Sequence, residues 1–199
     1  MHNLETPTLK LGLFHPWDSF GQALIAGALR RQQEVTVLVD DLNRLQARPG
    51  LRCKLGTLES SISVSEAVAG LDVVFAFLAD HPTNRLPPLC GALIDGALRS
   101  EVPRLLLIGH WRWLVEPADS EEEQLAAGLA RSLEVSGLDW TLVEAPPMPA
   151  GLRIDDFSRA GEASEQDTAL ARSYAEALLD EMQLSLHSRQ CLRLRSGQE

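Results

Sequence analysis

Short apolar runs alternate with amphipathic stretches along almost the whole chain. The first run, residues 9–14, is followed by His15-Pro16 and predicts a buried strand that ends in a turn. Between residues 19 and 33 apolar side chains recur at steps of three and four, which predicts an amphipathic helix. The β-branched run Glu34–Val39 predicts a second strand, so strand, helix and strand within about 30 residues form a βαβ unit with parallel strands.

The alternation continues to the C-terminus. We predict further strands at residues 51–55, 72–78, 104–109, 140–143 and 191–194, and helices at residues 63–69, 86–99, 120–136 and 168–182. Such regular alternation is typical of an α/β protein with a doubly wound parallel sheet of Rossmann-like type, whose first five strands would follow the order 3-2-1-4-5. We predict one domain over residues 1–199, with a core at 1–144 and a C-terminal loop, helix and short strand at 145–199.

Composition excludes several classes of protein. No apolar run approaches the roughly 20 residues needed to cross a bilayer, and the N-terminus lacks the basic and apolar regions of a secretory signal. We therefore predict a cytoplasmic protein without membrane contact.

The net charge of −10 makes nucleic acid an unfavourable partner, because such binding needs clustered basic residues. Three widely spaced cysteines, Cys53, Cys90 and Cys191, predict buried reduced thiols and no disulfide framework.

Four segments stand at characteristic places in the pattern: residues 34–39 (strand two), 69–74 (approach to strand four), 138–146 (strand six and its Ala-Pro end) and 174–181 (the closing helix). Taken in order, they resemble the NmrA-like, NAD(P)H-binding group of atypical short-chain dehydrogenases. The resemblance extends over nearly the whole chain. It implies a Rossmann fold and a nicotinamide dinucleotide at the carboxyl edge of the sheet.

The resemblance also implies a phosphate-binding turn, and here the chain departs from the family. Members carry Gly-Ala-Thr-Gly-x-x-Gly after strand one, where the backbone and helix amides receive the pyrophosphate. This chain has His15-Pro16-Trp17-Asp18-Ser19-Phe20-Gly21 and keeps only the last glycine. A carboxylate at Asp18 repels a pyrophosphate, Pro16 lacks an amide donor, and Trp17 is bulky where relatives are small. NAD or NADP binding and binding of no cofactor are therefore both open.

Other family signatures are also altered. Asp40 ends strand two where relatives commonly carry an arginine, and an acid there suits the ribose hydroxyls of NAD or is simply solvated. The Tyr-x-x-x-Lys pair of the short-chain dehydrogenases cannot form, because the single tyrosine, Tyr174, is followed four residues later by Leu178. The two lysines, Lys10 and Lys54, lie in or near predicted strands, so we expect Tyr174 to be a packing residue.

One group of polar and aromatic residues remains unexplained. Strands one, four and five are neighbours in the predicted order, and each is followed closely by a histidine: His15, His81 and His110. Open α/β sheets bind ligands in the crevice at this edge. We expect the same loops to bring Asp80, Trp111, Trp113 and Glu144 to the crevice. The candidate cofactor- or ligand-binding residues are His15, Trp17, Asp18, Ser19, Phe20, Gly21, Asp40, Leu78, Ala79, His81 and His110, with no predicted metal site.

Two functions fit these observations. The first is a degenerate Rossmann protein that acts as a non-catalytic binding or regulatory protein, with a small-molecule or protein ligand in the crevice. The second is an NAD(P)-dependent oxidoreductase or isomerase that holds its cofactor in an altered way. Homodimerisation is compatible with both.

Overall fold

A parallel sheet of seven strands forms the centre of the computed structural model, which describes residues 8–45, 48–158, 161 and 163–195. The strands lie in the order β3-β2-β1-β4-β5-β6-β7. Their bounds are β1 Lys10–Phe14, β2 Glu34–Val39, β3 Leu51–Leu55, β4 Val73–Phe77, β5 Arg104–Gly109, β6 Asp139–Glu144 and β7 Gln190–Arg193. The helices are α1 Ser19–Arg30, α2 Ser61–Val68, α3 Leu86–Arg99, α4 Ser120–Val135 and α5 Glu165–Leu184.

The helices cover both faces of the sheet. Helices α1 and α5 pack together on one face, and α2, α3 and α4 pack on the other. Successive side chains of a strand point to opposite faces, so Leu13 joins the α1 and α5 core while Phe14 joins the opposite core. The central strands β4 and β5 are buried along their whole length, as expected for a parallel sheet covered on both sides.

The predicted doubly wound fold is confirmed as a single Rossmann-like domain. Strands β2, β3 and β5 and helix α3 have the predicted bounds, and the order of the first five strands is the predicted one. The other elements differ by a few residues at their ends. Helix α2 starts at Ser61, two residues early, because Ser60 caps it by accepting a hydrogen bond from the Ser63 amide.

A buried charged cluster joins the C-terminal part of the chain to the sheet. Arg104, at the start of β5, donates to Asp139 at 2.6 Å and to Glu181 of α5 at 3.0 Å. Glu181 in turn accepts from the backbone and the imidazole of His187 at 2.9 and 2.7 Å. Because burial of an unpaired charge is costly, this cluster fixes α5 against β5 and positions the chain for β7.

All three cysteines, Cys53, Cys90 and Cys191, are free in this structure. The expected burial is correct for Cys90, whereas Cys53 is half-buried and Cys191 is exposed on the edge strand β7. An edge strand has a neighbour on one side only, which leaves its side chains open to solvent. Within the described ranges, no helix combines the length and the hydrophobicity needed to cross a membrane.

Candidate ligand crevice at the carboxyl edge

The turn after β1 keeps a glycine-like backbone without its glycine. His15 has φ +54°, in the left-handed region that glycine adopts most easily. The Trp17 amide donates to the His15 carbonyl at 2.8 Å, and the Gln22 side chain donates to the Pro16 carbonyl at 2.7 Å. The divergent sequence is therefore held in one defined turn by its own hydrogen bonds.

Asp18 occupies the N-terminus of α1 with its own carboxylate. Its Oδ1 accepts a hydrogen bond from the Gly21 amide at 2.7 Å, which makes it the N-cap of the helix. Desolvation raises the pKa of Asp18 and the charge of Asp80 adds to this, while the Gly21 amide opposes it. A Cβ at Gly21 would lie 2.6 Å from the Pro16 backbone, so this glycine is required for the approach of turn and helix.

Two predicted histidines come together above the sheet. The rings of His15 and His81 lie 5.9 Å apart between centroids and are tilted by 38°. Burial lowers the pKa of His15, and His81 and Arg44 lower it further, against the opposing charges of Asp40 and Glu59. His15 is thus favoured in its neutral form, which can both donate and accept a hydrogen bond. The predicted proximity of these two histidines is correct.

The end of β2 contributes a cation that faces Trp17. Arg44 forms an ion pair with Asp40 at 3.3 Å, and its guanidinium carbon lies 5.1 Å from the centroid of the Trp17 ring. Asp40 therefore has a partner from its own loop, and its side chain is 61% exposed. Sequence reasoning missed Arg44, although a cation four residues beyond an acid at a strand end was a usable signal.

Several predicted contact residues lie inside the protein. Ser19, Phe20 and Leu78 are buried, and Ala79 is half-buried. The Ser19 hydroxyl accepts from the Leu152 amide at 3.1 Å, and the Phe20 ring packs edge-on against Phe77 with 6.0 Å between centroids. In this structure Ser19 and Phe20 join the turn to the surrounding core, and a ligand role for them stays a prediction.

The loop after β5 does not join this group in the expected way. The interpretation of Trp111 and Trp113 as crevice residues is wrong, because both are buried in the core between α3, α4 and the sheet. The Trp111 indole donates to the carbonyls of Leu107 and Val143 at 3.0 and 3.1 Å. Large apolar rings gain more from burial than from a place at a rim.

Glu144 has a structural partner in this loop. Its carboxylate accepts from the Trp111 amide at 3.0 Å and lies 3.3 Å from Nδ1 of the exposed His110. Glu144 therefore links the end of β6 to the loop after β5, whereas the sequence suggested only a charge at the rim of the crevice. His110 lies at the predicted edge of the sheet, and no ring contact joins it to the pair formed by His15 and His81.

The possible metal ligands, the tyrosine and the lysine near β3 lie apart from one another among the described residues. Across these ranges no cluster of three or more His, Cys, Asp or Glu side chains is placed to hold a metal ion. Tyr174 is 5% exposed in the core beside α1. Lys54 donates to the carbonyls of Glu66 and Ala67 at the end of α2, far along the chain from any tyrosine.

Comparison with known proteins assigns the chain to a family. The family model described as NAD(P)H-binding matches residues 19–174. The chain belongs to this NAD(P)H-binding family. The match begins at Ser19, so β1 and the divergent residues 15–18 lie before it. No curated protein matches the sequence.

Solved structures share the fold of this family member at low identity. A candidate exported protein from Burkholderia pseudomallei is 24% identical, with coverage of 94% of this chain and 98% of its own and a TM-score of 0.66. A candidate epimerase from Bacteroides thetaiotaomicron is 20% identical, with coverage of 96% and 100% and a TM-score of 0.67. A short-chain dehydrogenase/reductase from Veillonella parvula, solved with NADP, is 11% identical, with coverage of 96% and 96% and a TM-score of 0.66.

The family implies a dinucleotide, and the turn after β1 does not fit its pyrophosphate. A helix N-terminus binds an anion through free amides, but the Gly21 amide is engaged by the Asp18 carboxylate. That carboxylate places negative charge where the phosphates would lie. Pro16 supplies no donor, and its carbonyl is held by Gln22. The residues of this chain therefore oppose the usual placement of the cofactor.

Proposed function

We propose that this member of the NAD(P)H-binding family is a non-catalytic binding or regulatory protein, whose carboxyl-edge crevice takes a ligand other than a conventionally placed dinucleotide. The observation that carries the proposal is the hydrogen bond from the Gly21 amide to Asp18. It replaces a bound phosphate by a side chain of the protein itself. The absence of a Tyr-x-x-x-Lys pair from the sequence supports the same view.

The crevice retains groups that can recognise a ligand. His15 is half-buried and favoured as neutral, and it lies beside His81 and the paired charges of Asp40 and Arg44. A strained residue that persists at a surface turn often has a functional reason, because the strain costs stability. These groups can bind a polar molecule through several hydrogen bonds of fixed direction.

The second candidate is an NAD(P)-dependent oxidoreductase or isomerase. Family membership favours it, as does the Veillonella parvula protein of the same fold that was solved with NADP. In this case the nicotinamide would supply the hydride chemistry. The crevice residues would position the substrate, and the dinucleotide would have to avoid the Asp18 carboxylate.

Direct titration with NAD⁺, NADH, NADP⁺ and NADPH separates the two candidates. We expect no saturable heat of binding and no rise in the unfolding temperature, whereas a ligand at 100 times its Kd adds about 2.7 kcal/mol to stability. A variant with H15G, P16A, W17T and D18G restores the family turn and is expected to gain dinucleotide binding. Micromolar binding by the unaltered protein would overturn the proposal and favour the oxidoreductase.

A single substitution separates the effect of the Asp18 charge from that of the shape of the turn. D18N keeps a side chain that caps helices but removes the carboxylate charge. If charge alone excludes the dinucleotide, D18N gains part of the dinucleotide affinity expected of the variant with all four substitutions. If it gains none, the bulk of Trp17 and the missing amide of Pro16 account for the exclusion.

A further inference from the structure

A pocket of about 450 Å³ opens beside the start of α1, next to the crevice. It is lined by Trp17, Arg44 and Arg48 and by a wall formed from the segment Leu152, Arg153 and Asp155. That wall is anchored, because the Leu152 amide donates to the buried hydroxyl of Ser19 at 3.1 Å. The pocket is thus built from three separate parts of the chain that the fold holds together.

The charge of the pocket is opposite to that of the protein. Arg44, Arg48 and Arg153 line it with one acid, Asp155, whereas the chain as a whole carries a net charge of −10. Arg48 holds Asp155 through two hydrogen bonds, at 2.5 and 3.1 Å. These bonds keep the pKa of Asp155 below its ordinary value, and the charge of Arg153 adds to the effect. Arg153 itself forms no ion pair with another side chain of the described ranges.

The pocket also has an aromatic wall. The guanidinium of Arg44 lies over the Trp17 ring at 5.1 Å, so a flat group can stack on either surface. Nε1 of Trp17 is shielded from solvent and has no hydrogen-bond partner among the described residues.

We propose that this pocket binds a small planar molecule that carries one anionic group. The ring stacks on Trp17 and Arg44, and the carboxylate or phosphate pairs with Arg153 and Arg44, since arginine binds both anions through paired hydrogen bonds. The volume is at the lower end of the range of about 300 to 1,000 Å³ for small-molecule sites. The inference rests on the proposed function, because Trp17 and Arg44 belong to the crevice as well as to the pocket.

Four probes test the chemistry of the site on the full chain by calorimetry and tryptophan fluorescence. They are adenosine monophosphate and naphthoate, which combine a ring with an anion, and adenosine and inorganic phosphate, which each have one feature only. We expect saturable millimolar or tighter binding of at least one of the first two and much weaker binding of its single-feature counterparts. Trp111, Trp113 and Trp140 are buried, so stacking should quench Trp17 and the quenching should vanish in W17F.

Matched arginine variants locate the binding. R44Q and R153Q should each lower the affinity for the bound probe by about tenfold, because each removes a charge-assisted hydrogen bond. R112Q changes an exposed arginine on the loop after β5 and should leave binding unchanged. Failure of both ring-bearing anions to bind, or equal binding by all three variants, would overturn the pocket. Equal affinity for inorganic phosphate would remove the ring from the proposal and overturn it as stated.

A competition arm keeps this proposal separate from the proposed function. If NADPH displaces the bound probe, a dinucleotide uses the pocket, and the proposed function fails while the pocket stands. If no probe binds and no dinucleotide binds, the pocket fails while the proposed function stands. Probe binding that NADPH does not affect supports both.

Discussion

The loops after β1 and after β5 carry similar residues and use them in opposite ways. Each has a histidine directly after the strand and a tryptophan within two residues of it. After β5, Trp111 is buried and Glu144 holds its backbone, so the loop closes upon the core. After β1, the histidine is strained and half-buried, and Trp17 is left partly open beside a cation. The tryptophans of the β5 loop are buried in the core, whereas Trp17 of the β1 loop is left partly open at the crevice.

The largest expected difference between the loops concerns their tryptophans. W111A removes a buried ring and should lower the free energy of unfolding by about 3–5 kcal/mol. W17A removes a half-buried ring whose indole N–H has no partner among the described residues, so we expect a loss below about 1.5 kcal/mol. Urea unfolding followed by far-ultraviolet circular dichroism measures both. Equal losses would contradict the contrast between the loops.

Glu144 should be the next largest contributor. E144A leaves the Trp111 amide without its acceptor and should cost about 1–3 kcal/mol of stability. E144Q retains an acceptor oxygen and should recover much of this loss in the same urea experiment. If E144A is as stable as the unaltered protein, the carboxylate is only a rim charge, as the sequence alone suggested.

The comparison also explains what the sequence could and could not predict. Apolar periodicity predicted β2, β3, β5 and α3 because buried side chains recur at different intervals in strands and in helices. The predicted strand order then placed all three histidines at one edge of the sheet. The contacts of each side chain depend on how deeply it is buried in the fold, and a sequence pattern does not specify this for loop residues. Trp111 lies in the core although its loop reaches the crevice. Arg44 was missed because its only sequence signal is the four-residue spacing from Asp40, which does not show that its guanidinium lies over Trp17.

Asp18 offers a smaller test on the β1 side. D18A removes the N-cap of α1 and should cost about 1 kcal/mol, whereas D18N keeps the cap and should be within a few tenths of a kcal/mol of the unaltered protein. Thermal unfolding of the three proteins at neutral pH makes the comparison. A large loss in D18N would mean that the charge itself stabilises the turn, against the raised pKa of Asp18.

The backbone of His15 can be tested with a matched pair. H15G and H15A both remove the imidazole, but only alanine keeps a Cβ in the left-handed region. H15G should therefore be more stable than H15A by about 1 kcal/mol, as measured by urea unfolding. Equal stability of the two variants would show that the turn relaxes once the imidazole is gone.

The smallest expected effect is a dependence on pH at His15 of the β1 loop. Burial first, and the charge of His81 second, lower the pKa of His15 in the folded protein below its ordinary 6.5. As the pH falls from 6.5 toward the lower pKa of His15 in the folded protein, the unfolded chain binds the proton first, so the folded state loses stability. Above 6.5 both states are neutral at this residue and the penalty is absent. H15N, whose side chain tolerates a positive φ, should lose less stability on acidification than the unaltered protein.

The exposed histidine of the other loop provides the control for this experiment. H110N retains His15 and should therefore lose stability on acidification as the unaltered protein does. Urea midpoints at a series of pH values on either side of 6.5 compare the three proteins. If H15N follows the unaltered protein, His15 is not held neutral by its surroundings.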